Sequence, residues 1–481
     1  MVDFAVIGAG IVGSAIAWEL SKYEADVVVL EKENDIALGA TRANSGIIHA
    51  GYDPEPGTLA ARYNVPGARM IPEIAADLDV HFRQTGSLVL AFSDRETQGL
   101  HALLARGQKN GVPGLQILSA EATRALEPRL SERVTASLYA PTAGIVNPWE
   151  LALAFMETAI KNGVRLLLDA AVTGIGKEED HYRLRTADGR EVSTRFVINA
   201  AGAYADEVSA LAAGKLFSIT PTKGEYFLFD KSAGETVDRV IFCVPDELGK
   251  GVIIAPTVHG NLIVGPDAEP VADKDDTATD GARLAYVRSR ALQVIPSLPF
   301  NDNIRNFAGL RAAADTDDFV IGFQAPGFFN VAGIKSPGLT AAPAIADDIP
   351  RRFAAAGYPL NRKAYWQGKR RIVRIRELPA EEKAAAIRAN PAYGHIICRC
   401  ETISEGEILD ACRRGMKPVS LDGIKRRTGA GMGRCQGGFC GAGIVAILAG
   451  ETGIDPLRIC QDKAGSRLFA GRTKSAGGTD D

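Results

Sequence analysis

The stretch Phe4-Ala5-Val6-Ile7-Gly8-Ala9-Gly10-Ile11-Val12-Gly13 decides the fold. Four apolar residues read as a buried strand, three glycines follow at G-x-G-x-x-G spacing, and an Ala-rich run to about Lys22 reads as a helix. A second apolar run, Val27 to Leu30, ends in Glu31. Gly8 permits a tight turn, Gly10 lets the backbone approach a pyrophosphate, and Gly13 lets helix and strand pack closely. The helix start at Ile11 and Val12 offers N–H groups and a positive dipole end to phosphates. Glu31, at the tip of the second strand, suits the two hydroxyls of a ribose. Strand, turn, helix, strand and acid arrive in order, which predicts a Rossmann-like unit holding a dinucleotide, NAD or FAD. The bland alternative is a βαβ unit without a ligand.

The remainder of the 481 residues predicts about three domains. Hydrophobic residues at 46% and charged residues at 23% are globular values and exclude a disordered chain. The formal charge of -3 argues against a nucleic-acid partner. The sequence shows no apolar run of the roughly 18 residues a membrane span needs, and the start at Phe4 has no basic leader, so a cytoplasmic protein is expected. Of seven cysteines only Cys243 precedes residue 398; the other six, Cys398, Cys400, Cys412, Cys435, Cys440 and Cys460, fall within the last 84 residues. In a reducing compartment such a cluster reads as a metal site rather than as disulfides.

Three further segments are rich in small residues, as loops pressed against a ligand would be. They are Gly39-Ala40-Thr41-Arg42-Ala43-Asn44-Ser45-Gly46-Ile47-Ile48-His49-Ala50-Gly51, the strand end Ile198-Asn199-Ala200-Ala201-Gly202, and Asn330-Val331-Ala332-Gly333-Ile334-Lys335-Ser336-Pro337-Gly338-Leu339-Thr340. In this order they resemble the FAD-dependent D-amino-acid oxidase superfamily over roughly residues 1 to 355. The segments Asn44 to Gly51, Gly144-Ile145-Val146-Asn147-Pro148 and Ser336 to Thr340 look closest to its glycerol-3-phosphate dehydrogenase and L-2-hydroxyglutarate oxidase branch. The resemblance implies FAD as the dinucleotide. It implies as its contacts Gly8, Gly10, Ile11, Val12, Gly13, Glu31, Lys32, Thr41, Asn44, Ser45, Gly46, Ile48, Val172, Ala201, Gly202, Gly333, Lys335, Ser336, Gly338, Leu339 and Thr340. Lys335 would stabilise negative charge on the reduced flavin, unless it is simply a helix-end lysine.

Between the flavin segments the pattern changes to strands and turns, at Ser87 to Phe92, Lys223 to Phe229, Gly251 to Pro256 and Asn261 to Val264. A second, antiparallel sheet interleaved with the first is expected, with a ligand pocket at the junction. The expected fold is thus α/β and α+β: an FAD domain (1–80, 145–215 and 305–355), a substrate domain (81–144 and 216–304), a connector (356–394), a helical iron–sulfur domain (395–465) and a flexible tail (466–481).

Oxidising a secondary alcohol requires removal of the hydroxyl proton as well as the hydride, and histidine suits the first task. His49, directly after the flavin loop, is the first candidate base; His259, in the Thr257-Val258-His259-Gly260-Asn261 turn, is the second. Each could instead serve hydrogen bonding alone. His81, His101 and His181 read as structural. Arg311, ending the apolar stretch Phe307-Ala308-Gly309-Leu310, can grip a carboxylate or phosphate with two parallel hydrogen bonds; its alternative is an ion pair with Asp315 or Asp317. Thr222, Lys223 and Tyr226 are lesser pocket candidates.

The cysteines form two close pairs, Cys398-Arg399-Cys400 and Cys435-Gln436-Gly437-Gly438-Phe439-Cys440. Four thiolates are the ligand count of a 2Fe-2S cluster, and zinc is the rival. The C-x-C with C-x4-C arrangement resembles the bacterioferritin-associated-ferredoxin-like domain, which favours the cluster. Glu405 to Arg414 and Gly441 to Ala449 read as its helices, and the glycines of Thr428 to Gly433 would let backbone crowd the cluster. Cys412 and Cys460 read as structural thiols. The basic run Lys369 to Arg376 reads as a solvated or docking face.

A two-electron donor, a flavin and a one-electron cluster make a sequence of redox stations. The expected enzyme is an FAD-dependent dehydrogenase that oxidises a small anionic secondary alcohol and passes electrons to a partner. The whole chain resembles the large subunits of anaerobic glycerol-3-phosphate dehydrogenases, which implies sn-glycerol 3-phosphate as substrate. L-2-hydroxyglutarate, an amino acid of the hydroxyproline type, and a non-catalytic redox subunit are the alternatives.

Overall fold

The computed structural model describes residues 1–244 and 251–472. The opening stretch forms a strand β1 (Val2–Ile7), a helix α1 (Ile11–Leu20) and a strand β2 (Val27–Leu30). β1 and β2 pair in parallel from Phe4↔Val27 to Ile7↔Leu30, and every residue of β2 is buried. Continuous burial on both faces is why these strands read as unbroken apolar runs rather than alternating ones.

The chain divides into two units: Met1–Lys32 with Ile36–Arg370, and Glu33–Asp35 with the residues from Arg371 onward. In the first unit an eight-stranded sheet runs in the order Val172–Lys177, Tyr182–Thr186, Glu191–Asn199, β1, β2, Arg165–Leu167. Phe328–Ala332 adds in parallel along the end of Glu191–Asn199, and Val320–Ala325 pairs with it in turn. The end of Glu191–Asn199 therefore runs beside the end of β1 at the glycine turn, and the Gly338–Ala355 helix packs against α1.

The second sheet has nine strands, ordered Glu269–Pro270, Thr222–Phe229, Leu262–Gly265, Ile253–Pro256, Val240–Cys243, Ser87–Ala91, Ala136–Ala140, Gln116–Ser119, with Asn303–Arg311 also on Thr222–Phe229. Among the described residues it departs from a purely antiparallel sheet where Val240–Cys243 runs parallel to Ser87–Ala91. It also takes a strand from the expected FAD segment: Asn303–Arg311 pairs antiparallel with Thr222–Phe229. From Phe307 to Arg311 the strand alternates, with Ala308 and Leu310 buried, and the hydrophobic cluster of that sheet includes Tyr226, Phe242 and Ile253, with Phe307 against it. A small third sheet of Ile47–Ile48, Gly144–Val146 and Phe82–Arg83 stands apart from both.

The second unit packs the helices Glu405–Arg413, Leu421–Thr428 and Gly441–Thr452 around Ile408, Ile424, Ile444 and Leu448. Ser404 and Glu407 cap the first of these reciprocally. Cys412 lies in this core, and burial pushes its thiol up to about 11. Cys460 bridges Ser420 and Arg467 by backbone pairing. Of the basic run, Arg370 reaches Glu157 at 2.6 Å and Arg376 reaches Glu401 at 3.0 Å, so these two are ion-paired rather than merely solvated. Of the expected tail, residues 473–481 lie outside the described residues.

Candidate functional site

The glycine turn fits a pyrophosphate-bearing ligand. Gly8 holds φ +100, and a Cβ there would sit 2.5 Å from the Ala200 carbonyl oxygen. A Cβ on Gly13 would overlap the Gly8 carbonyl oxygen, so helix and turn touch backbone to backbone. At Gly10, by contrast, an added Cβ would meet only Thr41 Oγ1, at 3.4 Å. That open side is where backbone can face a phosphate. The Ile11 N–H donates to Thr41 Oγ1 at 3.0 Å, and the Ala9 N–H donates to Glu31 Oε2 at 2.7 Å, so the loop is set before any ligand arrives.

A cavity of about 770 Å³ opens beside this turn, a size suited to a cofactor portion plus a small substrate. Ile11, Val12, Thr41, Asn44, Ser45, His49, Arg311, Lys335, Ser336, Gly338 and Leu339 all line it. Of the lesser candidates Thr222 and Tyr226 also line it, whereas Lys223 is held by Asp276 at 2.8 Å. Other expected contacts stand behind the wall: Gly46 at φ +73 is pressed on the Val146 carbonyl, Ile48 is buried, and Thr340 Oγ1 accepts the His49 N–H at 2.9 Å. Gly202 and Gly333 take φ +59 and +65, and the Ala201 N–H donates to Asn199 Oδ1. Lys32 lies 3.5 Å from Asp275 and over the Tyr204 ring, and Val172 opens its strand at the sheet edge.

His49 and Arg311 reach the cavity from different sheets. His49 Nε2 meets Ser336 Oγ at 3.1 Å, and its ring lies 5.8 Å from Phe242. Arg311 Nη2 donates to the Asp267 carbonyl oxygen at 3.0 Å, a partner other than Asp315 or Asp317, the ion-pair alternative to an anion anchor. Its guanidinium passes directly over Gly224, where a Cβ would collide with it. Phe242 and Arg283 also line the wall, and Arg283 pairs with Asp267 at 2.7 Å. No motif announces either residue; each arrives through strand and helix packing.

His259 does not join them. It occupies a tight turn closed by Thr257 and Asn261, and lies against His81 and Glu150 rather than on the cavity wall. His81, read from the sequence as structural, meets Glu150 Oε2 at 3.0 Å.

In the second unit Cys398, Cys400, Cys435 and Cys440 draw together in two pairs. Cys400 Sγ and Cys435 Sγ are 3.5 Å apart. A hydrogen bond from Cys440 holds the Cys398 thiol down to about 6, helped by the backbone N–H groups of Gly431 and Glu401, while the Cys440 thiol is raised. The Phe439 N–H lowers Cys435 in the same way. A Cβ on Gly433 would collide with Cys400, so the glycine run allows backbone to crowd the sulfurs. Four gathered sulfurs with inward N–H groups fit an iron–sulfur cluster.

Fold, cavity and cysteine centre define a flavin-dependent oxidoreductase with an attached redox module. Residues 3–350 match the FAD dependent oxidoreductase family, and the chain belongs to it. Residues 396–450 match the BFD-like 2Fe-2S binding domain, and FAD and a 2Fe-2S cluster are its cofactors. Over 478 residues, 99% of both chains, it is 44% identical to the glycerol 3-phosphate dehydrogenase of Caloramator mitchellensis. It is 29% identical to the mitochondrial L-2-hydroxyglutarate dehydrogenase of Homo sapiens, over 73% of this chain and 89% of that one. The structure of dithionite-reduced L-alpha-glycerophosphate oxidase from Mycoplasma pneumoniae, with FAD bound, superimposes with a TM-score of 0.73 at 32% identity, covering 76% of this chain and 98% of that one. Among the described residues no helix is long and apolar enough to cross a membrane.

Proposed function

We propose that this enzyme oxidises sn-glycerol 3-phosphate to dihydroxyacetone phosphate and delivers the electrons to a protein partner in the cytoplasm. The observation that carries this reading is the shared wall of one cavity, on which the start of α1, His49 and Arg311 all stand. The full-length likeness to a glycerol 3-phosphate dehydrogenase supports the substrate, and the clustered cysteines suit a reducing compartment.

When bound, FAD supplies a two-electron acceptor and the cluster a one-electron relay. The protein's own tasks are anchoring, proton removal and exclusion of water. Arg311 anchors the phosphate through its guanidinium fork, held in place by the Asp267 carbonyl and the absence of a side chain at Gly224. His49 takes the C2 hydroxyl proton at Nε2, the nitrogen that Ser336 Oγ already meets. The Thr340 hydroxyl fixes the His49 backbone, so the ring has a defined position before substrate enters. Phe242 and the ring of Tyr226 line the same cavity and would limit water around a bound substrate.

The test is anaerobic bleaching of the flavin by glycerol 3-phosphate, L-2-hydroxyglutarate, L-lactate and hydroxyproline in parallel. Rapid bleaching by glycerol 3-phosphate alone is expected. Preference for L-2-hydroxyglutarate would rename the substrate and keep the anion anchor; bleaching only by hydroxyproline, or by none, would overturn the proposal.

A further inference from the structure

Among the described residues of the first unit, one group of side chains away from the cavity has metal-binding chemistry. We propose that His81, Glu150 and His259 form a site for a divalent cation of the zinc class. One donor atom from each residue lies within 4.8 Å of the others. His81 Nδ1 is 3.0 Å from Glu150 Oε2, and the two imidazole rings meet edge to face at 4.9 Å. Donors of a tetrahedral zinc ion stand about 3.4 Å apart when each bond is about 2.1 Å, so small side-chain rotations close the site.

The protonation of His259 suits a cation, and metal uptake at His81 Nδ1 would release the proton it shares with Glu150 Oε2. Asn147 Oδ1 accepts the N–H groups of Trp149 and Glu150, which turns the amide nitrogen toward His259 Nε2 at 3.0 Å. That assignment makes Nε2 the unprotonated nitrogen of a neutral ring, the form in which imidazole takes a metal. Metal uptake there replaces the hydrogen bond from Asn147. Two neutral imidazoles and one carboxylate, without a thiolate, are the donor set of zinc, cobalt or nickel sites rather than of calcium.

The position gives the cation a structural role. His81 precedes the Phe82–Arg83 strand, Glu150 lies in the first turn of the Pro148–Lys161 helix, and His259 sits in the turn between Ile253–Pro256 and Leu262–Gly265. A bound ion would staple three segments distant in sequence. None of the three residues lines the cavity of His49 and Arg311, so the site is separate from the oxidation chemistry.

Cobalt(II) is the probe, added to chelator-treated holoenzyme with its FAD and cluster in place. One equivalent should bind with visible d–d bands and no thiolate-to-cobalt charge-transfer band, and zinc should displace it. His81→Ala and His259→Ala should each weaken binding about 100-fold while flavin content stays at wild type; Cys435→Ser should leave this cobalt spectrum in place. No nitrogen- and oxygen-only cobalt spectrum in the wild type, or unchanged binding in both histidine variants, overturns the site. Should those variants fail to fold, the wild-type protein loaded with copper(II) decides: hyperfine coupling to two imidazole nitrogens supports the site, and its absence refutes it.

Discussion

Arg311 and Gly224 lie on paired strands, and the guanidinium crosses the glycine so closely that no side chain fits between them. The strand register sets this approach, because Thr222↔Arg311 and Gly224↔Gly309 pair directly. Gly224→Ala should push the guanidinium off its Asp267 anchor and raise KM for the anionic substrate by about 10- to 100-fold. Arg311→Ala should raise it further, with the same flavin content. Steady-state kinetics with flavin absorbance as control check both; an unchanged KM in each would dismiss Arg311 as the anion anchor.

In the proposed reaction His49 would accept the hydroxyl proton. His49→Asn should lower kcat by about 10²- to 10⁴-fold without loss of FAD. Because the base must be neutral to act, wild-type kcat/KM should fall on the acid side, and the variant should lose that limb. A variant whose pH profile matches the wild type would exclude His49 as the base.

Gly13→Ala would drive a Cβ into the Gly8 carbonyl oxygen. The turn and α1 must then separate, and purified protein should contain less than about a tenth of the wild-type flavin, a loss of more than about 1.4 kcal/mol in FAD binding. Visible absorbance per polypeptide measures it, with circular dichroism to establish that the fold persists.

Cys435→Ser removes a sulfur that stands 3.5 Å from Cys400. The dithionite-reduced protein should lose the EPR signal of the cluster, and reduction of a one-electron protein acceptor should stop. Flavin bleaching by substrate should continue, since no cysteine of this group lines the cavity. A cluster signal that survives the change would refute the ligand assignment.

Asp348 joins the Leu59–Asp77 and Gly338–Ala355 helices: it accepts from Tyr63 at 2.6 Å and from Arg352 Nε at 2.7 Å. Burial raises its carboxyl, but Tyr63, Arg352 and Arg351 outweigh burial and hold it below the ordinary 3.8. A depressed carboxylate contributes stability that is complete above 3.8 and is lost as pH falls through its lowered value. Because Arg351 and Arg352 stay partly solvated and an amide still accepts one hydrogen bond, Asp348→Asn should cost about 1 kcal/mol in urea unfolding at pH 7. The difference from wild type should shrink below pH 3.8; a gap that stays constant into acid would rule out this pairing as its source.

The legible parts of the fold were those whose chemistry is local. Gly8, Gly10 and Gly13 constrain one turn, Glu31 follows one strand, and the cysteine pairs are close along the chain, so spacing alone carries their geometry. His49 could be placed beside the flavin loop for the same reason. His259 could not: its turn was legible, but the turn's neighbours, His81 and Glu150, come from segments more than 100 residues away. Phe242 and Arg283 were invisible because nothing in their own neighbourhoods distinguishes a cavity wall from a core.

By itself the sequence determined a dinucleotide turn, a four-cysteine module and the order of the redox stations, because each is written in residues adjacent enough to meet without help. Only the tertiary structure decided which charged and titratable groups share a cavity. Strand pairing drew Asn303–Arg311 onto Thr222–Phe229 and carried Arg311 to the wall that His49 faces. Packing of the 257–261 turn took His259 to Glu150 instead. Those placements depend on burying apolar faces over long sequence separations, and that free energy has no signature in any single short stretch.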